Sequence, residues 1–248
     1  MTLIIIQARV GSSRLPGKVM KIINKKPLLY FVVNQLKNCK IPGKLVVATS
    51  TKKIDDPIVS YVQSIDIEVF RGEENDVLDR FYKCALNFGD KTIVRICADS
   101  PFIDPNVVDQ CITEFQKGQF DYFSNTIKNQ NKKWIQHYNG FPLGFAVEVF
   151  TLDALKTAWT EAKLSSDREH VTEYIFHNPD KFRLGSFSCP SDYSYLRLVV
   201  DYPEDFQLVE EVIGHFDVKH CYSLKELVDF FYKNPEFKKI NSKYNKIS

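Results

Sequence analysis

Short apolar runs recur along the chain at 3–6, 45–48, 67–70, 92–96, 146–150 and 196–200, each about as long as a buried β-strand. Between many of them the apolar spacing lengthens to a helical period. In 27–37, Leu28, Leu29, Phe31, Val32 and Leu36 share one face, and 56–64 and 77–87 behave alike. Strands that alternate with helices imply parallel strands joined by crossover helices, hence a layered α/β sheet. Ligands of such sheets sit beyond the carboxyl ends of the strands. That rule directs attention to 7–18, 49–56, 71–79 and 97–104.

Residues 123–144 interrupt the alternation with Asn, Lys, Gln, aromatics and glycines, which predicts a long loop or small excursion over the site. Its aromatics, with Phe120 and Tyr122 just before it, are candidates for lining a ligand pocket or a subunit contact, with core or interface packing expected for most of them. Beyond it, 203–216 and 224–232 predict helices, and the polar, basic 237–248 predicts a frayed, solvated terminus. One domain over 1–248 fits the length, with the excursion at about 123–145 and a C-terminal helical tail at about 222–248.

Composition narrows the functional classes. With 44% hydrophobic and 26% charged residues the chain falls among ordinary globular proteins. A net charge of only +2 speaks against broad nucleic-acid binding, which shows a strongly basic domain or stripe. No stretch approaches the roughly 20 apolar residues of a membrane helix, and the first residues do not read as a signal peptide, since 3–6 is too short an apolar run and Gln7 and Arg9 follow at once. Six scattered cysteines without a CxxC pair predict reduced thiols and a cytoplasmic location.

Chemistry concentrates in four stretches. In QARVGSSRLPGK, running from Gln7 to Lys18, Gly11 and Gly17 allow close backbone approach. Its amides can cradle phosphate oxygens while Arg9, Arg14 and Lys18 neutralise a triphosphate. The Walker pattern GxxxxGK[ST] is absent, because Val19 follows Lys18, and a plain surface turn would carry the same residues. In TIVRICADSPFIDP an apolar strand ends in Asp99, a hard oxygen donor suited to Mg²⁺ or, equally, a turn cap before Pro101. In LRLVVDYPEDFQLV another apolar run ends in Asp201, again a metal donor or a helix cap. In SSDREHVTEYIF, His170 is a general base, a ligand donor or a surface residue beside charged neighbours. Two strand-end aspartates facing one cationic loop form a coherent metal-nucleotide site, which none of these pieces defines alone.

Together these pieces resemble the cytidylyltransferases that make CMP-activated sugar acids, and in particular the branch named for spore coat polysaccharide biosynthesis protein F. IIIQARVGSSRLPGKVM, VVATSTKKIDDPIV, VFRGEENDVLDRFY, RICADSPFIDP, FPLGFAVEVF, DREHVTEYI and RLVVDYPEDFQLV follow that branch in content and order. The resemblance implies a three-layer α/β/α nucleotide-diphosphosugar transferase-like fold with a mostly parallel, mixed sheet. It also implies transfer of CMP from CTP to a sugar acid, with Mg²⁺ and release of pyrophosphate, for surface polysaccharide biosynthesis.

Carried over residue by residue, it places Gln7, Ala8, Arg9, Gly11, Ser12, Arg14, Lys18, Ser50, Arg71 and Asp99 around the nucleotide, with Asp76 and Arg80 as further contacts. Asp99 and Asp201 would hold the metal, and Arg14 and Lys18 would act on the leaving pyrophosphate. Asn125, Phe141, Gly144, Glu148, Arg168, Glu169 and His170 would build the acceptor side. Ala98 and Ser100 stand where the branch commonly has Gly and Cys, both small replacements. The resemblance further implies a homodimer. Two other readings stay open at this point: a nucleotidyltransferase acting on a sugar phosphate or other small phosphorylated acceptor, and a non-catalytic nucleotide-binding module.

Overall fold

The computed structural model describes residues 2–131 and 133–245. In chain order its elements begin with β1 (Thr2–Gln7), the short β2 (Ile22–Ile23) and β3 (Lys26–Pro27), α1 (Leu28–Leu36), β4 (Gly43–Ser50), α2 (Asp56–Ser64) and β5 (Glu68–Gly72). They continue with α3 (Val77–Phe88), β6 (Thr92–Cys97), α4 (Pro105–Gly118), β7 (Tyr122–Ser124), β8 (Ile127–Gln130), β9 (Lys133–Gln136) and β10 (Glu148–Thr151). The last are α5 (Leu152–Glu161), α6 (Ser165–His170), α7 (Glu173–His177), β11 (Leu184–Ser186), α8 (Pro203–Gly214) and α9 (Leu224–Lys233).

Seven strands form one sheet in the order β11-β7-β10-β6-β1-β4-β5. Its ladders are parallel except where β10 pairs antiparallel with both β6 and β7. The central strand β1 explains the layering. Ile4 and Ile6 point into a core shared with α1, α2, α4, α8 and α9, whereas Leu3 and Ile5 point into a second core shared with α3, α5 and α7. A strand covered on both faces has no polar side to present, which is why its sequence is continuously apolar rather than alternating. From β1 the chain passes to β4 and β5 on one side, then crosses to β6 on the other. The ends of β1 and β6 therefore flank a topological switch point, where a crevice opens between diverging loops.

Four expectations are corrected. The run 196–200 is no ladder strand: it is extended and buried but makes only an isolated bridge, Arg197 to Leu143. Its amides are spent on loops, Leu198 N–H donating to Leu143 O at 2.8 Å and Val200 N–H to Asp99 O at 2.9 Å. The fifth run yields a strand only from Glu148. The excursion is not structureless, because Tyr122–Ser124 joins the main sheet and Ile127–Gln130 and Lys133–Gln136 form a separate hairpin. The tail is docked rather than frayed as far as Asn245. Asn241 is buried, and its amide donates to Asp205 at 2.8 Å and to Arg197 O at 2.9 Å. Residues 246–248 lie outside the described residues. Helices α4 and α5 and strand β11 go beyond the sequence expectations, α4 starting at an Asp104 cap that accepts from Asn106 N–H at 2.8 Å.

Candidate functional site

Behind β1 the backbone turns twice before α1. Gly17 sits at φ 72°, a left-handed conformation that favours glycine, and its N–H donates to Val10 O at 2.9 Å. This closes the loop and aims the following Lys18 side chain inward, where the residue is only 8% exposed. The ammonium donates to Asp99 at 2.6 Å, to Val200 O at 2.7 Å and to Asp201 at 3.0 Å. One cation thus ties together the loop after β1, the turn after β6 and the segment before α8.

The capping alternatives resolve differently for the two aspartates. Asp99 follows β6 in a turn, and the cap of α4 is Asp104. At α8 the capping carboxylate is Asp205, 1% exposed, which accepts from the N–H groups of Asp201 and Tyr202 at 3.0 Å each. Asp205 also clamps the Arg197 guanidinium through two bonds of 2.9 Å. Arg197 in turn reaches Asp201 at 3.1 Å, and Arg14 meets the same carboxylate at 3.0 Å. Asp201 is therefore held in place by neighbours while facing the crevice.

The charges reinforce one another. Burial works against the Lys18 ammonium, but Asp99 and Asp201 outweigh it and raise its pKa above the ordinary lysine value. Burial likewise opposes ionisation of Asp201, yet Lys18, Arg14 and Arg197 hold its pKa below the usual carboxylate range. Beside them, burial pushes the Cys97 thiol up to about 11, leaving it protonated and inert at neutral pH.

Two cavities meet here. One, of about 240 Å³, is walled by Gln7, Arg9, Gly11, Ser12, Ser13, Arg14 and Lys18, with Val77 and Glu169 across from them. The other, of about 380 Å³, runs past Tyr122, Thr126, Tyr138, Leu143, Gly144, Glu148, Thr172 and Glu173. Arg14, Arg95, Cys97, Asp99, His170 and Asp201 line both, so the paired aspartates stand at the junction.

The expected residues separate into those that reach this crevice and those that support it. Gln7, Arg9, Gly11, Ser12, Arg14, Lys18, Asp99, Asp201, Gly144, Glu148, Glu169 and His170 line it. Ala8 is buried beneath it, its N–H bonded to Ala48 O at 3.1 Å. Ser50 is fully buried and donates to Asp55, whose other oxygen accepts from Val10 N–H at 2.7 Å. Arg71 donates to the carbonyls of Ser50 and Lys52 at 2.9 Å and pairs with Asp56 at 2.8 Å, bracing the loop after β4. Asn125 is buried and committed to backbone, donating to Phe145 O at 2.7 Å and accepting from Val147 N–H at 2.9 Å. Phe141 packs in the core against Phe187. Arg168 pairs with Asp76 at 2.6 Å, locking α6 to the start of α3. Arg80 is buried beside Asp76, donating to the carbonyls of Glu73 and Glu74.

Gly144 has φ 102°, and a Cβ there would stand 2.8 Å from the Leu198 carbonyl, so the close approach of two backbones requires glycine. Sequence reasoning missed Arg95, Arg197 and the full role of Glu148, whereas Tyr122 and Tyr138, two of the aromatics offered as pocket lining, do line the larger cavity. Arg95 pairs with Glu148 at 2.5 Å and donates to Gln7 at 3.0 Å, while the Tyr122 hydroxyl donates to Glu148 at 2.9 Å and Thr172 adds a further bond. An arginine in the middle of the apolar TIVRIC strand was the available signal, since a charge there must meet a partner or a cavity.

Solved nucleotidyltransferases share this fold. The structure of CMP:2-keto-3-deoxy-manno-octonic acid synthetase complexed with CTP superposes with a TM-score of 0.65 at 16% identity, covering 86% of this chain and 98% of that one. At the level of sequence the chain belongs to the cytidylyltransferase family, whose model matches residues 3–240. A cytidylyltransferase from Leptospira borgpetersenii is 31% identical and superposes with a TM-score of 0.86 over 95% of both chains. Spore coat polysaccharide biosynthesis protein SpsF of Bacillus subtilis is 31% identical over 94% of this chain and 95% of its own. An uncharacterised protein of Methanocaldococcus jannaschii is 39% identical over 96% of this chain and 93% of its own. The protein is accordingly an enzyme of the nucleotidyltransferase type.

Proposed function

We propose that the protein transfers CMP from CTP to an oxygen of a small acidic sugar, releasing pyrophosphate, in the making of a surface glycan. The observation that carries this reading is the convergence of Asp99 and Asp201 on Lys18 where the two cavities meet. The smaller, cationic cavity takes the triphosphate and the larger one the acceptor. Relatives acting on a sugar acid by name, the 3-deoxy-manno-octulosonate cytidylyltransferases, match up to 69% of the chain at 31% identity, which favours an acidic sugar as acceptor.

In this reading Arg9, Ser12 and the Gly11 backbone hold the phosphates, and Arg14 with Lys18 meets the negative charge that moves onto pyrophosphate as the α-phosphorus is attacked in line. Gln7, Ala8, Ser50 and Arg71 shape the floor and side of the nucleotide subsite. Glu148, fixed by Arg95, and His170, at the junction, orient the acceptor, while Asn125, Phe141 and Arg168 hold the surrounding backbone and helix. Glu169 sits opposite Arg9 at 3.7 Å, near enough to exchange that partner for nucleotide.

The oxygen-only donor set of Asp99 and Asp201 fits a hard divalent ion, and the spot already attracts a cation, the Lys18 ammonium. Mg²⁺ held there would supply charge neutralisation at the reacting phosphates. A homodimer and a cytoplasmic location complete the reading. Among the described residues no helix is long and apolar enough to cross a membrane.

The test offers each of the four nucleoside triphosphates with Mg²⁺ and a panel of sugar acids and sugar phosphates, and follows pyrophosphate release with mass detection of the product. CMP-sugar acid formation with CTP is expected. Product with a sugar phosphate, or with another triphosphate in preference to CTP, overturns the corresponding half of the proposal.

A further inference from the structure

Helices α6 and α7 meet at a sharp corner outside the Asp99–Asp201 centre. Between them Val171 sits at φ 63°, ψ −52°, a backbone conformation that β-branched residues seldom adopt. The corner brings Asp167 of α6 against Glu173 and His177 of α7, the last two sharing one helix face by their i, i+4 spacing. One ligand atom from each residue lies within 4.8 Å of the other two.

Asp167 makes this more than a polar corner. It is 7% exposed, yet among the described residues its carboxylate accepts no hydrogen bond and joins no ion pair. Other buried acids here are well supplied: Asp55, Asp104 and Asp205 each accept at least two hydrogen bonds, and Glu148 is bonded by Arg95, Tyr122 and Thr172. Buried carboxylates are held by hydrogen bonds, by a counter-charge or by a metal. At Asp167 the first two are missing among the described residues; its oxygens keep some contact with solvent, and the ligand atoms beside it are a second carboxylate and an imidazole.

We propose that Asp167, Glu173 and His177 bind a divalent transition ion of the Zn²⁺ class. Two carboxylates with an imidazole suit Zn²⁺, Co²⁺ or Mn²⁺ and leave a further position for water, whereas Mg²⁺ avoids nitrogen ligands. The ion ties α6 to α7. Glu173 also lines the larger cavity and His170, which ends α6, lines both. Metal at this corner therefore sets the rim of the crevice without entering its chemistry.

The test titrates Zn²⁺ into chelator-treated protein in excess Mg²⁺ by calorimetry, with Co²⁺ absorption in the visible as a report on the ligands. One equivalent of Zn²⁺ is expected to bind and to raise the melting temperature. His177→Ala, at an exposed position, should keep the metal-free melting temperature and weaken binding by at least about tenfold. Asp167→Asn should weaken it similarly while melting no lower without metal, because it removes a charge that has no protein partner among the described residues. His215→Ala, elsewhere on the surface, should bind as the unaltered protein does. Absence of a stoichiometric site, or full affinity in either His177→Ala or Asp167→Asn, would overturn the proposal.

Discussion

Replacing Lys18 by methionine keeps the unbranched chain as far as Cε and removes the ammonium, so it chiefly isolates the charge at the centre of the site. Three contacts vanish at once, those at 2.6 Å to Asp99, 2.7 Å to Val200 O and 3.0 Å to Asp201. Removing one partner of a buried ion pair costs about 3–5 kcal/mol. Asp201 keeps Arg14 and Arg197, and the Asp99 side chain is 21% exposed and partly hydrated. The lower end applies, about 3 kcal/mol, which in a chain of this size lowers the melting temperature by roughly 6–12 °C.

Catalysis should fall further than stability explains. A donor lost from the place where charge develops costs about 10²–10³ in rate. The assay is pyrophosphate release at saturating CTP, well below the variant's melting temperature, alongside CTP affinity by calorimetry. The acid side offers an independent check. The lowered pKa of Asp201 gives stability that is present above the unfolded carboxylate value, near pH 4, and is lost as pH falls through the lower folded value. The raised pKa of Lys18 gives stability that is present below the unfolded lysine value and is lost as pH climbs through the higher folded value. In Lys18→Met the alkaline loss should disappear, and the acid loss should be smaller and complete at a higher pH. Turnover within about threefold of the unaltered enzyme would refute the role given to this lysine.

Three more outcomes follow from the packing. Gly144→Ala places a Cβ 2.8 Å from the Leu198 carbonyl at φ 102°, and should destabilise by about 3 kcal/mol in a denaturant melt. Glu148→Ala strands Arg95 and should cost about 3–5 kcal/mol, while raising KM for the acceptor more than for CTP in steady-state kinetics. Asn241→Ala removes the amide that bonds Asp205 and Arg197 O, and should cost about 1–3 kcal/mol and lower activity although the residue is remote from substrate. Unchanged activity there would separate the docked tail from the positioning of Asp201.

Much of the frame was written locally. A strand buried on both faces has to be apolar throughout, and crossover helices have to be amphipathic, so Thr2–Gln7, Asp56–Ser64 and Val77–Phe88 declare themselves in their side-chain periods. The cationic loop and the two aspartates stood out as candidates because several charges follow apolar runs closely, although a turn or a helix cap would account for either aspartate taken singly.

What the chain alone could not settle were questions of partnership. Apolar content marks 196–200 as buried, but its amides bond the 143 loop and Asp99 rather than a ladder, and only the fold shows where they go. Ser50, Arg71 and Asn125 have the chemistry of ligand contacts, yet nearby carbonyls, amides and carboxylates claim them first. Asp201 carries the same ambiguity as any acid before a helix until Asp205, four residues on, proves to be the cap. Sequence determined which residues are charged and which faces are apolar, because those are properties of single side chains and their spacing. The tertiary structure decided which charges are spent on holding the fold and which face the crevice, because that depends on partners up to 187 positions away, as between Arg14 and Asp201.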